Sequence, residues 1–130
     1  MADPKIIVVP DLPTANPTYN HAVHLGDTIY VSGQIGIDPS TGKLVSGGQA
    51  AEYRQALQNL ETILRAAGTS LQRVVKTTIY MTDVSQLAEL NRVYAEFFSK
   101  SPPAKTGVEV SRLALGAKIE IEAIAAAVNS

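Results

Sequence analysis

Four residues near the end of the 130-residue chain have types and spacing that could do chemistry together: Lys105, Gly107, Glu120 and Glu122. They lie within Pro102–Ala125, PPAKTGVEVSRLALGAKIEIEAIA. Side chains in a strand alternate between faces, so Glu120 and Glu122 would share one face while Ile119 and Ile121 share the other. A cation after a stiff Pro102-Pro103 pair, a permissive backbone position and two carboxylates could form a small site for a carboxylated substrate. They could equally be a loop followed by a solvated strand face. Desolvation of a carboxylate at a subunit boundary would raise its pKa and allow it to exchange a proton through bound water.

The elements that must position these residues follow from periodicity. Lys5–Val9 and His21–Leu25 read as short strands, with Pro13 and Pro17 between Asp11 and Asn20 marking a loop. Thr28–Ile37 alternates, with Ile29, Val31, Ile35 and Ile37 on one face and Thr28, Tyr30, Ser32 and Gln34 on the other. Gly33 interrupts this run, which marks a bulge or a close backbone approach. Gln49–Ala67 carries Tyr53, Ala56, Leu57, Leu60, Ile63, Leu64 and Ala67 at helical spacing, with Ser46 and Gln49 fitting a capping box and Gly68 a C-terminal glycine. Val74–Met81 is β-branched. A second helix, capped by Asp83 with Gln86, presents Leu87, Leu90, Val93, Tyr94 and Phe97 and ends near Phe98. Val108–Leu113 and Lys118–Val128, joined by a turn at Leu115-Gly116, complete the chain.

The order β-β-β-α-β-α-β-β predicts an α+β fold in one domain spanning residues 1–130: a six-stranded mixed sheet with both helices on one face. The uncovered face would carry Tyr30, Ser32 and Gln34 with Lys76, Thr78 and Tyr80. Such a half-polar face suits another subunit, so a homo-oligomer is expected.

Composition narrows the function classes. Hydrophobic residues make up 45% and charged residues 18%, which is globular rather than disordered. A net charge of −1 offers no basic field for a nucleic-acid backbone. The absence of cysteine excludes disulfides, thiolate metal sites and a Cys nucleophile. His21 and His24 lack a clustered third ligand, so no metal is expected there. Glycine-rich phosphate-binding and Gly-x-Ser-x-Gly patterns are missing, and Ser32 has no motif-placed base. Asp38, Asp83 and Ser85 read as turn and cap residues. With no targeting or membrane-spanning run in the sequence, a cytoplasmic protein is expected.

Several motifs in order resemble the Rid family of reactive enamine/imine deaminases, also named translation inhibitor or L-PSP-type endoribonuclease. They are Asn16-Pro17-Thr18-Tyr19, Val31-Ser32-Gly33-Gln34-Ile35, Gln55-Ala56-Leu57-Gln58-Asn59-Leu60 and Val75-Lys76-Thr77-Thr78. Asn91-x-x-Tyr94 with Phe97-Phe98, Pro103-Ala104-Lys105 and Lys118-Ile119-Glu120-Ile121-Glu122-Ala123 continue the series. The resemblance implies a chorismate-mutase-like fold and a homotrimer with clefts between subunits. It also implies hydrolysis of 2-aminoacrylate or 2-iminobutyrate to the 2-oxo acid and ammonia without metal or cofactor.

By the same resemblance, Tyr19, Ser32 and Gly33 would line the cleft and Glu120 would position the attacking water. The Gly107 backbone would contact the substrate, and position 105 would bind its carboxylate. The family's arginine at that position is Lys105 here. Arginine grips a carboxylate with two parallel bonds and lysine with a point charge. Loss of one charge-assisted bond, about 1.5–3 kcal/mol, would weaken binding by roughly one to two decades. Gly107 replaces a residue that commonly bears a side chain, which would loosen the loop around Lys105. The alternatives are a non-catalytic metabolite-binding or interaction protein on the same trimer and, less favoured, a ribonuclease acting on single-stranded RNA.

Overall fold

A computed structural model describes residues 2–13 and 17–128; Asn16 of the first family-like motif lies outside them. In chain order the elements are β1 (Lys5–Ile7), β2 (Ala22–Leu25), β3 (Thr28–Gln34), β4 (Ile37–Asp38), β5 (Lys43–Leu44) and α1 (Gln49–Ala66). They continue with β6 (Val74–Met81), α2 (Leu87–Phe97), β7 (Ala104–Glu109) and β8 (Ile119–Ala126). Six strands form one mixed sheet in the order β1-β2-β3-β8-β6-β7, and β4 and β5 form a separate two-residue hairpin. All neighbours in the large sheet are antiparallel except β6 and β7, which α2 connects in parallel.

The helices cover one face. Tyr53, Ala56, Leu57, Leu60, Ile63 and Leu64 of α1 are buried, as are Leu90, Val93 and Tyr94 of α2. They pack on Ile29, Val31, Ile79, Met81, Ile119, Ile121, Ala123 and Ala125, so a single 2-residue alternation in three strands supplies the floor of the core. Leu87 departs from the expected apolar stripe: it is 40% exposed at the start of α2. Phe98, just past the helix, is buried in its place at the other end.

Helix α1 ends as its sequence predicts. Gly68 takes φ +77°, its N–H donates to the Arg65 carbonyl at 3.0 Å, and Thr69 N–H donates to Leu64 O at 3.0 Å. These paired bonds satisfy the last helical carbonyls, and the left-handed φ favours glycine. Its start does not follow the expected capping box, because the residue before the helix is Gly48 and no side chain caps it. Gln49 is instead a buried tie. Its Oε1 accepts from Thr82 N and Asp83 N at 3.2 Å each, and its Nε2 donates to Asp83 O at 3.0 Å. Asp83 and Asp38 do act as cap and turn residues: Asp83 Oδ1 accepts from Ser85 N, and Asp38 Oδ1 accepts from Ser40 N.

Two differences from the expected strands bear on the site. The strand after α2 is Ala104–Glu109, not Val108–Leu113. Hydrogen bonding to β6 in parallel begins directly after Pro103, which captures Lys105 and Gly107 in a strand rather than a loop. The sequence pattern hid this because an edge strand, exposed along its length, needs no apolar alternation. Strand β3 also shifts register between Val31 and Gln34, which pair with Ala123 and Ile121 of β8. That bulge turns Gln34 to the buried side with Val31, against the expected alternation. Among the described residues, no helix is long and apolar enough to cross a membrane.

Candidate functional site

The open sheet face is built by the alternate residues of the strands that form the core. Glu120 and Glu122 project from β8 on this face, in register with Tyr80 and Thr78 of β6. Their environments differ. The Tyr80 hydroxyl donates to Glu122 Oε1 at 2.8 Å, and this bond raises the Tyr80 pKa above the usual phenol value. Glu120 accepts no hydrogen bond among the described residues. Burial, and then the nearby Glu122 charge, raise its pKa above the ordinary carboxylate range. Its setting is therefore already desolvated within a single chain, without the subunit boundary that sequence reasoning required.

Gly33 makes room for that carboxylate. A Cβ on Gly33 would fall 1.8 Å from Glu120 Oε2, 2.7 Å from Cδ and 3.1 Å from Cγ. Any side chain there would expel the carboxylate from its position. Both readings of Gly33 hold at once, since the bulge brings the backbone of β3 against Glu120. Ser32, adjacent in the bulge, donates its hydroxyl to Asn20 O and its N–H to His21 O at 2.9 Å. These bonds tie β3 to the segment carrying Tyr19 and engage the Ser32 hydroxyl with the backbone.

Tyr19, Ser32, Gly33, Ile35, Leu115, Glu120 and Glu122 line a cleft of about 440 Å³. The structure thus brings together Tyr19, Ser32, Gly33 and Glu120. A second cavity, of about 180 Å³, adjoins it: Tyr19, Gly33, Ile35 and Leu115 line both. Sequence reasoning missed Leu115 as a cleft residue. Its signal was present as the Leu115-Gly116 turn, but the exposed leucine at φ +59° was read only as a connection.

Lys105 and Gly107 lie elsewhere. Both are on β7, two strands from β8, at the sheet edge. Lys105 is in register with the fully buried Thr77, which places it on the helix-covered side. Its Nζ donates to Asn91 Oδ1 at 2.6 Å and sits 4.5 Å from the Tyr94 ring centroid, and burial lowers its pKa. The Gly107 position faces Met81, whose Cε would be 3.2 Å from an added Cβ. Within one chain, a small carboxylic acid cannot touch Lys105 and Glu120 together, because the sheet separates them. Of the histidines, His21 borders the smaller cavity and His24 Nε2 lies 2.8 Å from Gly26 O.

Comparison with known proteins agrees with this architecture. Residues 10–127 match the family model described as Endoribonuclease L-PSP. The chain is 47% identical over 121 residues to the 2-iminobutanoate/2-iminopropanoate deaminase of Rattus norvegicus, covering 93% of this chain and 88% of that protein. Solved structures superpose closely. RidA from the Antarctic bacterium Psychrobacter is 40% identical with a TM-score of 0.89, covering 94% of this chain and 98% of that one. TdcF from E. coli with bound serine is 36% identical with a TM-score of 0.89, covering 95% and 99%. With a family match along nearly its whole length and the same fold in its relatives, the chain belongs to the Endoribonuclease L-PSP family, which includes Rid proteins.

Proposed function

We propose that the chain is a hydrolytic deaminase of reactive 2-enamine and 2-imine acids, converting 2-aminoacrylate and 2-iminobutyrate to 2-oxo acids and ammonia. The observation that carries this reading is Glu120, a desolvated carboxylate held against Gly33 in a cleft and accepting no hydrogen bond among the described residues. The deaminase name of the rat relative and the serine bound by TdcF support a small amino-acid-like substrate.

The chemistry asks for little. An enamine first takes a proton at C3 to become the imine. Glu120 accepts a proton from water as the oxygen adds to the C=N carbon, giving a tetrahedral amino alcohol. Return of that proton to nitrogen lets ammonia depart as the C–N bond breaks. The hydroxyl gives up its proton, through Glu120 or directly, to the departing ammonia as the carbonyl forms and ammonium leaves. Protons balance, since R–C(=NH2+)–COO− and water give R–CO–COO− and ammonium. No metal or cofactor enters the sequence of steps. Tyr19 and Ser32 bound the cleft in which the water is held.

The carboxylate partner in this reading is Lys105 of a neighbouring copy, in a homotrimer with its clefts between subunits and the Gly107 backbone beside the substrate. Support comes from the separation of Lys105 and Glu120 across the sheet, which leaves the described lining of one chain's cleft without a cation. It also comes from the open face, where Tyr30 is 47% exposed. The test follows 2-iminobutyrate, generated in situ, as it decays with and without micromolar protein. Acceleration is expected. Decay at the uncatalysed rate would sink the deaminase reading.

A second reading, a non-catalytic metabolite binder on the same assembly, is favoured by the engagement of Lys105 with Asn91 and Tyr94. Tight binding of a 2-oxo acid without turnover would establish it. A ribonuclease role, despite the family's name, is opposed by the net charge of −1 and by two carboxylates in the cleft.

A further inference from the structure

The cavity adjoining the Glu120 cleft is apolar in a specific way. Leu12, Ile35, Ile37 and Leu115 border it, and the Asn59 amide and the Gln34 Nε2 beside them are engaged by the protein. Asn59 Nδ2 donates to Ile35 O at 3.3 Å and Ile37 O at 2.9 Å, while its Oδ1 accepts from Gln55. Gln34 Nε2 donates to Ser32 O at 3.1 Å. His21 is held towards its neutral form by burial. The annex offers a guest more apolar than polar surface, with the Tyr19 and His21 side chains at its border. Its volume, about 180 Å³, is several times the roughly 30 Å³ share of one water and can take a side chain of several carbons.

Leu115 stands at the junction. It is the most exposed large apolar residue described, at 78%, and it takes a left-handed φ of +59° between Ala114 and Gly116. That conformation costs a non-glycine residue about 1–2 kcal/mol, and glycine would adopt it freely. Folding therefore gains nothing evident from a leucine here. Its side chain lines both cavities, so a guest passing from the cleft into the annex would cover it.

We propose that the annex is the subsite for the substrate's side chain and that Leu115 is its selectivity residue, so that the protein prefers 2-imino acids bearing unbranched or branched hydrocarbon chains of several carbons over the shortest ones. This rests on the deaminase reading for the position of the reacting carbon beside Glu120. Burial of each further methylene should raise kcat/KM about fourfold until the annex is full.

The experiment compares imines generated in situ by an amino-acid oxidase from alanine, 2-aminobutyrate, norvaline, norleucine and leucine. Wild-type protein should show kcat/KM rising along the series. In Leu115→Gly, which removes the wall and relieves the backbone, the ratio of the norleucine-derived to the alanine-derived substrate should fall about tenfold or more. A flat wild-type series, or a ratio unchanged in Leu115→Gly, would overturn the proposal. Calorimetric binding of the saturated 2-oxo acids, from 2-oxobutanoate to 2-oxohexanoate, separates the two ideas. Affinity rising with length and lost in Leu115→Gly, with no imine turned over, would keep the annex and remove the deaminase. Turnover of imines with no dependence on length in rate or binding would do the reverse.

Discussion

Glu52 is a buried carboxylate and Glu120 a half-buried one, on opposite sides of the same sheet, and they have opposite fates. Glu52, on α1, is 2% exposed on the helix-covered side, and its Oε1 accepts from Lys118 N at 2.8 Å. Its Oε2 lies 3.4 Å from Lys118 Nζ, so backbone and side chain of one residue both answer it. Glu120, two residues beyond Lys118 on β8, faces the open side with no hydrogen bond from a described residue. A buried carboxylate whose oxygens are satisfied is structure. A half-buried one without donors, its pKa raised by partial burial and a neighbouring carboxylate, retains its capacity to take and return a proton. The same segment, Lys118–Glu122, therefore locks one carboxylate into the core and leaves another available for chemistry.

That contrast can be broken at several points. Glu120→Gln should lower kcat for 2-iminobutyrate by about 10²- to 10⁴-fold while the protein remains folded, as steady-state rates and circular dichroism would show. A loss of fold with the rate would mean that Glu120 is structural like Glu52. Gly33→Ala should cost about 10²-fold in rate, since its methyl group displaces the carboxylate from its seat, and thermal melting should register little. Glu52→Ala should act the other way round: a loss of about 1–3 kcal/mol in urea unfolding, because Lys118 N–H is left without its acceptor, with the rate per folded molecule retained. Lys105→Arg should raise kcat/KM about tenfold if a second parallel bond to the substrate carboxylate forms. An unchanged or lower value would remove position 105 from the binding role.

The smallest effect concerns stability against pH. The folded pKa of Glu120 is raised, so the native state holds its proton at pH values where the unfolded chain has released it. Stability is then favoured below the ordinary carboxylate pKa and declines as pH rises through that value towards the raised one. Glu120→Gln should accordingly gain stability relative to wild type between acid and neutral pH. Urea midpoints across that interval would show the difference, and a wild-type advantage at neutral pH would contradict it.

Much of the fold was legible because burial repeats at the period of each element. The α1 stripe, the β8 alternation and the Gly68 terminus depend on neighbours three, two or one residue away. The elements misread depend on partners distant in sequence. Strand β7 exists because β6 offers it a parallel edge, and Gln34 turns inward because β8 has one residue fewer across the bulge. Gln49 replaces a local cap by reaching Thr82 and Asp83. The site divides the same way. Tyr19, Ser32, Gly33 and Glu120 border one cleft, whereas Lys105 points to α2, a fact no spacing along the chain could disclose. Leu115 was hidden by its type, since an exposed leucine in a turn carries no periodic signal.

The pH dependence of kcat/KM for 2-iminobutyrate tests the role of Glu120 most directly. A general base must be ionised, so the rate should rise with pH along a limb centred above the ordinary carboxylate range, and that limb should vanish in Glu120→Gln. A limb at the ordinary carboxylate pKa, or one that persists in Glu120→Gln, would contradict the assignment.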